Sequence, residues 1–161
     1  MTPSNPSLPD PAALANALRL CLVELDGLAH LNEGRLGRAP GIDAHAILDV
    51  AESIGRIGLK AARSFLSMTA HADVAAVAAG SDPLDAVIEA IGCLTADIEK
   101  LQRLKRHLLT PPACRVRACI FDLRLHVAAL HCRVACAEQG PEHPCGTSRR
   151  ASHHGGSPWL H

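Results

Sequence analysis

Residues 82–112 read DPLDAVIEAIGCLTADIEKLQRLKRHLLTPP, and this stretch decides the fold class. Leu84, Val87, Ile91, Leu94, Ile98, Leu101 and Leu108 recur at alternating spacings of three and four, with Lys105 in the one remaining slot. A helix of about 3.6 residues per turn gathers such positions onto one face, whereas a half-buried strand would need strict alternation. The ends are marked as clearly as the middle. Asp82 offers a side-chain acceptor to the first free backbone N–H groups, and Pro83 has no N–H to leave unpaired. Asp82, Asp85 and Glu89 lie early, while Lys100, Arg103, Lys105, Arg106 and His107 lie late, so both ends complement the helix macrodipole. Pro111-Pro112 then stops the helix, because proline disfavours helical geometry in the residue before it.

Three other segments carry the same signature. Asp10-Pro11 repeats the Asp-Pro start, and behind it Leu14, Leu18, Cys21, Leu25 and Leu28 form one stripe that fades near residues 30–32. Asp43 is a natural cap for a second helix, with Ile42 and Ile47 at the spacing of a hydrophobic staple. Its expected stripe is Ile47, Val50, Ile54, Ile57, Ala61, Phe65 and Met68. Beyond it the pattern weakens: either the helix continues to Gly80 or, as favoured here, it breaks or kinks near Thr69, with a possible short extra helix near 70–79. After Pro111-Pro112, residues 113–138 place Val116, Ile120, Leu123, Val127, Leu130 and Val134 on one line. The connection is so short that this helix must fold back antiparallel on its predecessor.

Four amphipathic helices with narrow stripes predict an all-α antiparallel four-helix bundle over residues 10–138, with starts near Pro11, Ala44, Pro83 and Ala113. Residues 1–9 form a Pro/Ser/Asn leader without periodicity. Residues 139–161 form a tail rich in Gly, Pro, His and Arg. Both are expected to be disordered.

Composition narrows the function classes. At 161 residues with 48% hydrophobic content, the chain has material for one core. Aromatics are 2%, namely Phe65, Phe121 and Trp159, so the core is aliphatic. Net charge is zero, yet residues 1–110 carry ten Lys/Arg against thirteen Asp/Glu, and residues 111–161 six Arg against three acids. The C-terminal part is thus the end suited to an anionic partner. No run of eighteen uncharged apolar residues exists, which predicts no membrane span. The N-terminus lacks the pattern of a signal peptide, and the expected compartment is the cytoplasm, with reduced thiols.

The candidate chemistry is sparse. Cys132 and Cys136 stand four apart on a predicted helix, and His143 and Cys145 lie on the flexible segment beyond, so the four could complete a zinc site. No Cys-x-x-Cys knuckle accompanies them. Adjacent Cys132 and His131 point in different directions, which disfavours a nucleophile–base pair. Asp49 and Glu52 are expected to face solvent. No Gly-rich phosphate loop, His-Glu-x-x-His or Glu-x-x-His pair occurs. Lys100, Arg103, Lys105, Arg106, Arg115 and Arg117 gather near the proline corner. Without stacking aromatics, however, nucleic-acid binding is not expected.

The heptad lines therefore carry the functional expectation: a small protein–protein interaction, adaptor or regulatory module without catalytic activity, acting on a protein partner or by self-association. Lys105 at a seam position is the residue that raises self-association, since polar seam residues often fix register or partner choice. The alternative is a zinc- or redox-responsive regulator using Cys132, Cys136, His143 and Cys145.

Overall fold

The computed structural model describes residues 10–35, 43–72 and 83–139, and these form four helices. They are α1 (Pro11–Arg35), α2 (Ala44–Ala72), α3 (Pro83–His107) and α4 (Ala113–Gln139). The chain is an all-α antiparallel four-helix bundle. Every helix begins where its start signal places it. The expected leader (1–9), the tail beyond Gln139, and the stretch 73–79 of the possible extra helix lie outside the described residues.

Two of the three aspartate caps are described, and both work as capping chemistry requires. Asp10 Oδ1 accepts a bond from the Ala12 N–H at 3.3 Å, and Asp43 Oδ1 accepts one from the His45 N–H at 3.0 Å. Asp82 and Ile42 lie outside the described residues. The break expected near Thr69 does not occur, because α2 runs on to Ala72. The Thr69 hydroxyl donates back to the Phe65 and Leu66 carbonyls, so this polar residue is accommodated within the helix. α1 likewise extends past its expected end to Arg35.

The helices pack in a ring in which α1 lies against α4 and α2 against α3 most extensively, and α2 also reaches α4 across the centre. All five stripe residues of α1 and all six of α4 are buried. The α2 stripe needs correction. Val50 and Ile57 are 44% and 47% exposed, and the core line instead runs Ile47, Ala51, Ile54, Gly58, Ala61 and Phe65, with Leu48, Gly55 and Ala62 beside it. Small residues line this face, and they let α2 approach α3 and α4. A methyl group on Gly55 would stand 3.0 Å from Ile98 Cγ1 and 3.4 Å from Leu123 Cδ1, and one on Gly58 would stand 3.4 Å from Val127 Cγ2. The tightest approach at these two positions is that of Ile98 on α3 to Gly55, and the diagonal α2–α4 contact passes through both.

On α3, Val87, Leu94, Ile98 and Leu101 are buried as expected, while Leu84 and Ile91 are half-buried. Leu104 and Asp97 join the interior, so the buried face is broader than the heptad line. Among the described residues, no helix is long and apolar enough to cross a membrane.

The glycines separate two opposing effects of an added methyl. Gly92 has open space around it, so Gly92→Ala should stabilise by about 0.5–1 kcal/mol through helix propensity alone. Gly55→Ala gains the same propensity but overpacks against Ile98, which typically costs about 1–3 kcal/mol. Thermal melts should show Gly92→Ala above the parent and Gly55→Ala below it.

Candidate interaction surface

Polar side chains meet at three places between helices. Between α2 and α3, Glu52 is mostly covered and accepts bonds from Gln102 Nε2 at 2.9 Å, Arg56 at 2.8 Å and Lys105 Nζ at 3.0 Å. Asp49 completes the cluster by pairing with Lys105. Glu52 therefore does not face solvent as expected; the covering neighbours leave only Asp49 exposed. The hydrogen bonds from Gln102 and Arg56, then Lys105, hold the Glu52 carboxyl at about 2 against an ordinary 4.5. The two carboxylates hold the Lys105 ammonium above its usual value, Asp49 acting most strongly.

This cluster explains the seam lysine. Lys105 is half-buried and its charge is met inside the chain, so it supplies no argument for self-association.

Between α3 and α4, Asp97 is the one buried charged residue among those described, at 2% exposure. His126 Nδ1 lies 2.5 Å from its Oδ2, and Lys100 Nζ lies 3.3 Å from its Oδ1. Lys100 also reaches Asp122 at 3.1 Å, which is the main reason its ammonium is held above its usual value. Between α1 and α4, Arg124 forks onto Asp26, with its second bond at 3.4 Å, and lowers the Asp26 carboxyl. In all three clusters carboxylates are met by cations or N–H donors that join helix to helix. The half-buried Cys119 stands beside the second of them, close enough for the charges of Asp122, Lys100 and Asp97 to act on its thiol.

Of the four expected zinc ligands, Cys132 is an exposed free thiol, and Cys136 is half-buried one turn further along α4 and is not among the free cysteines. His143 and Cys145 lie outside the described residues. Among the described residues no group of three or more His, Cys, Asp or Glu is arranged to hold a metal ion. Cys21 and Cys119 are held above the usual thiol range by burial, which disfavours the reactive thiolate there.

The surface itself is less ordinary than these clusters. Cys114, Ala118, Phe121, Leu125, Ala128 and Cys132 form a second line on α4 with the same 4-3-4-3-4 spacing as the core line, displaced from it by two residues. A displacement of two residues turns a helical position by roughly half a revolution, so this line faces away from the core. Phe121 is 61% exposed and Leu125 55%, Ala128 is half-buried, and the others are exposed.

At the proline corner the line meets a shallow groove of about 460 Å³ between the end of α3 and the start of α4. Leu104, Leu108, Ala118 and Cys119 form its apolar wall, and Arg103, His107 and Arg115 stand at its rim. In the sequence the outer line is masked by the inner one, which already accounts for the helix. Its repeat of three and four was the available signal.

The Glu52 cluster gives a pH signature. Because the folded carboxyl titrates below its ordinary value, its stabilisation is complete above about pH 5 and is lost as pH falls toward 2. Glu52→Gln should cost about 1–3 kcal/mol at neutral pH. Melting curves of parent and variant should converge on acidification; a gap that persists undiminished to the lowest pH contradicts the assignment. The chain matches no protein-family model, no curated protein and no solved structure.

Proposed function

We propose that this chain is a small helical interaction module of the adaptor or regulatory kind, not an enzyme, and that it binds a helix of another protein along the outer face of α4. The observation that carries this reading is the outward line Cys114–Ala118–Phe121–Leu125–Ala128–Cys132. Solvent-facing helix surfaces are ordinarily polar, and a contiguous apolar strip on one costs solubility without adding to the core. Its 4-3-4 spacing is the spacing at which one helix accepts the knobs of another. Phe121 and Leu125 are large enough to anchor such a contact, and the small residues around them let a second backbone come close.

Its seam-like spacing also bears on the expectation of self-association, but Lys105 no longer supports that alternative. The polar clusters support the non-catalytic side of the reading, since their charges are consumed in holding the helices together.

Selection of helical peptides from a displayed random library, using the immobilised full chain, tests the proposal. Phe121→Glu and Leu125→Glu leave the core untouched, so melting temperatures should stay within about 2–4 °C of the parent. Selected peptides should lose about tenfold or more in affinity for either variant, as truncated anchors at interfaces do. Selection of no peptide, or of peptides indifferent to both substitutions, overturns the reading.

A further inference from the structure

We infer that the helix received by the outer face of α4 is an amphipathic one whose apolar seam is bordered by acidic residues. The inference rests on the docking reading above and adds the chemistry of the partner. It is drawn from the charges beside the line, which the apolar residues alone do not reveal.

The flanks of the outer line carry Arg115, Arg117, Asp122, Arg124 and Arg133. Two of these are already engaged. Asp122 is held by Lys100 from α3, and Arg124 by Asp26 from α1. These pairs also fix the sides. Arg133 lies two turns from His126, which meets α3, and Arg115 lines the groove against α3. Arg117 lies two turns from Arg124, which meets α1. Arg115, Arg117 and Arg133 are exposed and make no ion pair with any described residue. The apolar line is thus bordered on both sides by uncompensated positive charge. From Cys114 to Cys132 it is about 27 Å long at ~1.5 Å per residue, room for a partner helix of about five turns.

Sign selects among the possible occupants. A second copy presents the same arginines, and like charges along the border of a helical seam oppose pairing. The chain's own residues 140–161 carry Arg149 and Arg150 against Glu142, and residues 1–9 carry no charged side chain. None of these supplies the needed carboxylates. A nucleic acid would meet the arginines but would press phosphates over an apolar centre offering a single aromatic ring. A lipid surface favours a convex face rich in large apolar residues. Here the line contains two alanines and two cysteines, and it adjoins a groove. A helix with a Leu-type seam and Glu or Asp on both borders satisfies both parts of the surface.

Fluorescence anisotropy on the full chain provides the test, with a labelled synthetic helix carrying Leu at seam positions and Glu on both borders. Its twin has Lys in place of Glu. The Glu peptide should bind saturably, at least tenfold more tightly than its twin, and should weaken as salt is raised. Arg115→Glu, Arg117→Glu and Arg133→Glu combined should weaken it tenfold or more. Lys60→Glu with Arg63→Glu, on the exposed face of α2, should change it by less than about threefold. Melting curves of both charge variants should match the parent.

Equal binding of the twin overturns the acidic partner while leaving helix docking to stand on the library selection. Equal losses in the α2 variant overturn it as well, since the attraction would then be general. Tighter binding to single-stranded DNA or to anionic vesicles than to the Glu peptide, or no peptide binding at all, also overturns it.

Discussion

The line Val116–Ile120–Leu123–Val127–Leu130–Val134 is the surface on which the other three helices close. Each of its residues is at most 1% exposed, and α4 touches α1, α2 and α3. A fully buried aliphatic side chain contributes about 1.5–3 kcal/mol over leaving it exposed, so this one row is a principal source of the bundle's stability. It also constrains the neighbours. α2 reaches it across the centre through Gly55 and Gly58, where an added methyl would already stand in contact with Leu123 and Val127. A core almost without aromatics depends on such close backbone approach, because small side chains fill space only when helices come near one another.

With burial concentrated in the rows, charge serves to orient the helices. The Glu52 cluster joins α2 to α3, the Asp97 cluster joins α3 to α4, and the Asp26–Arg124 pair joins α1 to α4. Apolar rows attract without direction, and a row can slip by a turn at modest cost. A buried carboxylate such as Asp97 cannot slip, because leaving it without His126 and Lys100 would strand a charge away from water.

α4 is consequently a helix with two apolar faces of equal spacing, one consumed by the core and one left outward. Its inner residues are all branched aliphatics, whereas its outer ones mix one phenylalanine and one leucine with alanine and cysteine. A permanent core rewards volume, and the proposed docking role would be served by a few anchors among small residues. The arginines beside the outer row keep it hydrated.

The number of helices, their starting residues and the buried rows of α1 and α4 were legible in the sequence. Each follows from local chemistry: an aspartate before proline or alanine begins three of the helices, the proline pair precedes the fourth, and a large apolar residue every three or four positions names the inner face. Three things required the tertiary structure. The inward face of α2 includes Gly55, Gly58 and three alanines, and small residues show their use only opposite a neighbour that is distant in sequence. Lys105 appeared as a misplaced seam charge until Glu52 and Asp49 from α2 were brought beside it. The outer row of α4 could be counted in the sequence, and its smaller side chains ranked it second to the inner row, but only packing showed that it stays uncovered. Among the described residues α1, α2 and α3 all lie on the inner side.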